Sequence, residues 1–253
     1  MKKHELSETY DILRLMAKCI GESKYYEHII FKGATALNAI LIQEGRKELM
    51  RETRDIDLQV DHFKNWERFV NELETMLNGR GVLFIIDNVT SKNNEYGRIN
   101  LRAFKNDSEY KLKIDMNIDK KESIPTVIIE SLRVRAYSLE AMLADKISAA
   151  YSQKIFRRIK DLYDIAAISK VKYFISDDII DIMERKRPET FDTAIDMIIP
   201  ENYDMLYHAF IKNSGIRDKI EFSEMCNTVR TFCTPILNRH RGLIWKEWWF
   251  END

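Results

Sequence analysis

Glycine and proline are scarce in this chain, eight and four residues among 253. That scarcity excludes collagen-like and linker-like compositions and favours long helices joined by few wide loops. No internal period of repeat length is present, which excludes a solenoid. An excess of one charge is missing too: 40 Lys and Arg face 41 Asp and Glu, for a formal net charge of −1. A globally basic nucleic-acid coat is thereby excluded, although 40 cationic side chains leave ample material for a local basic site. Cysteine is limited to Cys19, Cys226 and Cys233, an odd number without metal-type spacing, which reads as reduced thiols in a cytoplasmic protein. The five histidines (His4, His28, His62, His208, His240) show no ligand spacing, and no Ser/His/Asp or Cys/His arrangement stands out. Long apolar runs are also missing. The opening MKKHELSETYDILRLMAKCI is interrupted by Glu8, Asp11, Arg14 and Lys18, against a signal peptide, and no stretch approaches the ~18 apolar residues of a membrane span.

What is present is a chain long enough for a substantial core, 45% hydrophobic, with clear periodicities. Helical spacing marks residues 5–20, 34–42 and 64–78. RDIDLQV, VLFIIDNV, GRINLRAF and EYKLKIDMNI read as strands, the last two joined by a turn at Asn106-Asp107-Ser108. SLEAMLADKISAAYS and KIFRRIKDLYDIAAI read as helices, and after Ser176 the pattern is helical to the end. The order α-α-β-α-β-β-β followed by helices predicts an α+β protein: a mixed sheet with packed helices, then a helical C-terminal domain. The seam is placed within 120–138, giving a core over 1–130 and a helical half over 131–253.

Two acids stand one residue apart in RDIDLQV. In a strand, Asp55, Asp57 and Gln59 project from one face, about 7 Å between successive members, while Ile56, Leu58 and Val60 face the core. KLKIDMNI repeats the pattern, with Lys111, Lys113, Asp115 and Asn117 opposite Leu112, Ile114, Met116 and Ile118. If the two strands are neighbours, Asp115 joins Asp55 and Asp57. Carboxylates so close repel unless neutralised, and magnesium, a hard cation with sites left for substrate phosphates, is the natural answer. The plainer reading is an exposed sheet face whose acids pair with Arg54, Lys111 or Lys113. Upstream, FKGATAL places Lys32, Gly33 and Thr35 at a helix start, a geometry that holds phosphate, although Gly33 also suits a tight turn and Thr35 a helix cap.

Two helical segments carry further charge. Lys146 falls within the apolar stripe Leu139, Met142, Leu143, Ile147 and Ala150, so it either snorkels to water or meets an anion. Arg157, Lys160, Asp161 and Asp164 follow at i, i+3, i+4 and i+7, which also describes a solvated face held by Arg157–Asp161 and Lys160–Asp164 pairs. Near the C-terminus, RHRGLIWKEWWF sets Arg239, His240 and Arg241 beside Trp245, Trp248 and Trp249. Such a mixture stacks bases in some proteins, but a helix packing its tryptophans inward explains it more simply.

Taken in order, FKGATAL, RETRDIDL, KIDMNI, ADKISA and RRIKDLYDI resemble the AbiEii/AbiGii-type toxins, across roughly residues 29–168. The resemblance implies a polymerase-β-like nucleotidyltransferase core followed by a helical region. By position it makes Gly33 and Thr35 the phosphate motif, Asp55, Asp57 and Asp115 the metal-binding acids, and Lys146 and Asp161 catalytic. Arg157, Lys160 and Asp164 become nucleotide contacts, joined by Lys32 and Lys146. Where the family more often has Gly-Gly-Thr, this chain has Gly33-Ala34-Thr35, which keeps the backbone amide. The implied reaction moves a nucleoside monophosphate from an NTP to an RNA acceptor, the tRNA 3′ end, with magnesium (or manganese) as cofactor. The implied setting is abortive infection and phage defence, with an antitoxin as partner. Two other readings stay open: transfer of a nucleotidyl or phosphoryl group to a protein such as the antitoxin, and a module that binds nucleotide or partner without turnover.

Overall fold

Ile12, Leu13, Met16, Ala17 and Ile20 recur at helical spacing, and all five are buried along α1 (Lys3–Gly21). β1 (Ile29–Lys32) leads directly into α2 (Gly33–Gln43), which is buried from Ala34 through Leu41. β2 (Asp55–Asp61) is followed by α3 (Trp66–Leu77), whose Phe69, Leu73 and Leu77 form a buried stripe. β3 (Leu83–Lys92), β4 (Tyr96–Lys105), β5 (Ser108–Asp119), β6 (Thr126–Ile129) and β7 (Val134–Tyr137) complete the first of two compact units, Met1–Gln43 with Arg51–Tyr137. This computed structural model describes residues 3–61, 66–92, 95–119, 124–150, 158–193, 203–216, 219–246 and 248–251.

The seven strands form one mixed sheet in the order β3-β4-β5-β2-β1-β7-β6. β2 runs parallel to β5 and β1 parallel to β7, while the remaining neighbours are antiparallel. The β4–β5 turn is tighter than expected. Lys105 pairs directly with Ser108, and Asn106 and Asp107 both adopt positive φ (49° and 59°), the handedness that matches strand twist in a two-residue hairpin. β1, β6 and β7 were not anticipated from the pattern, because four residues are too few to display alternation. The expected α+β architecture, a mixed sheet with helices packed on it, is otherwise what the chain adopts.

The second unit comprises Glu44–Met50 and Ser138–Asp253. It contains α4 (Leu139–Ala150), α5 (Ile159–Ile168), β8 (Phe174–Ile175), α6 (Ser176–Lys186), α7 (Glu189–Thr193), α8 (Tyr203–Ser214), α9 (Phe222–Leu237), β9 (Leu243–Trp245) and β10 (Trp249–Glu251). Helices dominate, as expected, with one correction. The tail is not a helix but an antiparallel pair, β9–β10, that extends β8 into a three-stranded sheet. Gly242, at φ +76°, turns the chain into β9, and Trp245 of β9 stands opposite Trp249 of β10. Trp245 is buried, its Nε1 donating to the Ser169 carbonyl at 2.8 Å, and both Trp245 and Trp249 pack on Phe232. Arg241 is spent on Asp177, Asp181 and Glu184. Trp245 is therefore core, Trp249 is half-buried, and Trp248 is exposed. Cys19, Cys226 and Cys233 form no disulfide, and all three are buried.

Candidate active site

Ile56, Leu58 and Val60 are at most 2% exposed, which fixes the other face of β2 outward and sets Asp55 and Asp57 on it. The parallel register with β5 places Asp57 opposite Asp115 and Asp55 opposite Lys113. The three acids thus share one sheet face. Lys113 Nζ bridges two of them, 3.2 Å from Asp55 Oδ2 and 2.9 Å from Asp115 Oδ2. The other oxygen of Asp115, Oδ1, accepts from Tyr96 Oη at 2.5 Å and from Arg98 Nε at 2.7 Å. Burial pushes the Asp115 carboxyl toward a higher pKa, but the hydrogen bonds from Arg98, Tyr96 and Lys113 outweigh it and hold the group below its usual range. For Lys113 burial works toward a lower pKa, and the two aspartates overcome it, so the ammonium is held charged.

Gly33 sits at φ +67°, between β1 and α2. A Cβ there would overlap the Asp57 carboxylate, so glycine is needed for conformation and for close approach alike. The antiparallel β1–β2 register sets Lys32 opposite Asp57. Thr35 is 1% exposed, and its hydroxyl donates to the Asp55 carbonyl at 2.6 Å, tying the start of α2 to the start of β2. The first N–H groups of α2 have no intrahelical acceptor and carry the positive end of its dipole, which equips them for an anion.

In the second unit, Lys146 is buried on α4 and its ammonium meets Asp164 and, at 3.5 Å, Asp161 of α5. Arg158 also reaches Asp161 at 3.5 Å. Lys146 therefore meets an anion rather than snorkelling, and protein carboxylates supply it. Asp164 and Asp161 are buried while Lys160 is exposed, so the solvated face with Lys160–Asp164 pairing does not form. Arg157 lies outside the described residues.

Arg98 and Tyr96 were not among the residues the sequence pointed to. Counting outward from the Asn106–Asp107 turn brings Arg98 opposite Asp115, and that count was the available signal. Among the described residues, no three His, Cys, Asp or Glu side chains converge into a metal-binding group. The donor chemistry is nonetheless of the kind a hard divalent ion takes, carboxylate oxygens, two of which flank the Lys113 ammonium.

No curated protein matches the sequence. Two solved structures from Helicobacter pylori share the fold. One, described as JHP933, aligns with a TM-score of 0.59 at 16% identity over 93% of both chains; the other, a putative nucleotidyltransferase by its description, has a TM-score of 0.60 at 15% identity over 93% of this chain and 96% of its own. The family model described as the nucleotidyl transferase AbiEii toxin of a type IV toxin–antitoxin system matches residues 14–222, most of the chain. The chain belongs to the AbiEii nucleotidyl transferase toxin family.

Proposed function

We propose that this toxin-family nucleotidyltransferase moves a nucleoside monophosphate from an NTP to an RNA acceptor, the tRNA 3′ end, and thereby arrests translation and growth as an abortive-infection defence against phage. The observation that carries the reading is the shared face of Asp55, Asp57 and Asp115 beside the Gly33-led start of α2. Asp55, Asp57 and Asp115 would hold magnesium, or manganese, which when bound neutralises charge on the transferring phosphoryl group and acidifies the attacking hydroxyl. The amides at the start of α2 bind triphosphate oxygens, with Lys32 adding positive charge. The acceptor hydroxyl attacks the α-phosphorus in line, the bond to the β-phosphate oxygen breaks, and pyrophosphate leaves. Asp115, oriented by Arg98, Tyr96 and Lys113, serves as an anionic ligand. The resemblance assigns Lys146 and Asp161 to catalysis and Lys160 and Asp164 to the nucleotide. The burial of Asp164 and its bond to Lys146 support a positioning part for Asp164. Family membership supports a cognate antitoxin as partner. No helix among the described residues is long and apolar enough to cross a membrane.

The test is a transfer assay with magnesium, each α-labelled NTP in turn and total tRNA, comparing the parent with Asp57→Ala. Label on tRNA from the parent, reduced by roughly 10²–10³-fold in the variant, is expected. Label on protein alone would replace RNA by a protein acceptor. Absence of label on either would overturn the transferase reading for this chain.

A further inference from the structure

Lys113 occupies an unusual place. Its ammonium lies between Asp55 Oδ2 and Asp115 Oδ2, at 3.2 and 2.9 Å, on the face proposed above for a divalent ion. The remaining oxygen of Asp115 is held independently by Tyr96 and Arg98. Removing the ammonium therefore exposes two carboxylate oxygens that face each other while leaving Asp115 oriented. Asp57, the third acid, is fixed separately by its packing against Gly33. The ammonium itself is only partly enclosed, with the Lys113 side chain 27% exposed and Asp55 36%, so it has room to move toward water.

We infer that Lys113 is an internal counter-cation that holds the acids together and oriented before substrate arrives, and that it must give way for a divalent ion to bind. This rests on the reading of Asp55, Asp57 and Asp115 as the metal-binding acids. The physical basis is simple. Three carboxylates on one face repel, so without a cation the face would splay or take up protons. A lysine supplies one positive charge that cannot diffuse away, but a divalent ion entering between the same oxygens meets a like charge within a few ångströms. The consequence is weak metal affinity for the protein alone and stronger affinity once an NTP brings phosphate oxygens and its own negative charge. Lys113 thus links metal occupancy to the presence of substrate, which for a toxin limits activity toward anything but a loaded NTP site.

The experiment is a Mn2+ titration of the full chain without nucleotide, with free Mn2+ read by electron paramagnetic resonance. The parent is compared with Lys113→Met, Lys113→Gln and Lys113→Arg, the fold of each checked by circular dichroism. Lys113→Met is expected to bind Mn2+ about tenfold or more tightly than the parent. Lys113→Gln should do the same, and it carries the test should the methionine variant not fold. Lys113→Arg, which keeps the charge, should remain near the parent, and Asp55→Asn added to Lys113→Met should abolish the gain. Unchanged or weaker binding in both neutral variants, or no Mn2+ binding by any protein, overturns the inference. Transfer to tRNA is scored on the same preparations. Tighter Mn2+ binding with no labelled product retains the role of Lys113 and removes the transferase reading, whereas labelled product with unchanged Mn2+ binding does the reverse.

Discussion

Each unit of this protein holds one lysine set between two aspartates. On the sheet face Lys113 meets Asp55 and Asp115; between α4 and α5 Lys146 meets Asp161 and Asp164. The chemical composition is identical and the burial is not. The first set is 27%, 36% and 15% exposed at its side chains, the second 8%, 11% and 1%. Water screens the open cluster, so its cation can be exchanged at modest cost. The closed cluster has no such freedom, because a charge left unpaired in a low-dielectric interior costs several kcal/mol. The same three side chains make an exchangeable cation site in one setting and a fixed strut in the other.

Breaking each lysine in turn tests that contrast most directly. Lys146→Met removes the ammonium that two buried carboxylates share and is expected to cost about 3–5 kcal/mol in urea denaturation. Lys113→Met removes a partly exposed partner and should change stability by no more than about 1 kcal/mol, in either direction, since it also relieves a desolvated ammonium. Equal losses would erase the distinction between the clusters. Lys146→Met combined with Asp164→Leu replaces the pair by apolar atoms and should recover much of the loss. If the Lys146–Asp164 pair also acts in the reaction, transfer to tRNA stays lost in that double variant even though stability returns.

A second comparison concerns Gly33 and its neighbours. Gly33→Ala meets two penalties: about 1–2 kcal/mol for an L side chain at φ +67°, and the displacement of Asp57, whose carboxylate lies where the methyl would go. Stability should fall by the first amount, and transfer activity should fall further, because the second penalty acts on a proposed metal ligand. A loss of activity no greater than the loss of folded protein would make Gly33 a turn residue only.

How much of this was legible depended on the range of the interaction. Alternation put Asp55 and Asp57 on one face of their strand and Asp115 on the polar face of its own, because a strand has only two faces and Ile56, Leu58, Ile114 and Met116 claim the inner one. That the two strands are neighbours, which brings the three acids together, is seen only in the sheet. The Lys113 bridge was within reach of the same reasoning, as one of three cations offered to the acids. Arg98 required the β4–β5 register, which a turn one residue tighter than expected fixes. The partners of Lys146 were illegible. Its position in an apolar stripe showed that something must meet the charge, but Asp164 stands 18 residues away on another helix. The tail failed for a different reason: LIWKEWWF is short and apolar at mixed spacing, and such runs fit a helix or a strand equally until Gly242 and the neighbouring β8 decide.

The smallest expected effect separates two parts assigned to one hydroxyl. Sequence position made Thr35 a phosphate ligand, yet its buried Oγ1 donates to the Asp55 carbonyl at 2.6 Å. Thr35→Val keeps the shape and deletes the donor, so a propping role predicts a loss of about 1 kcal/mol in denaturation. It also predicts a KM for NTP within about twofold of the parent, since the amides at the start of α2 are untouched. A phosphate ligand behaves in the opposite way, with stability preserved and KM raised by about tenfold for a lost charge-assisted hydrogen bond. The hydroxyl has a single proton to donate. While that proton is committed to Asp55, it cannot also serve a phosphate oxygen, and measuring both quantities on one variant shows which acceptor holds it when NTP is bound.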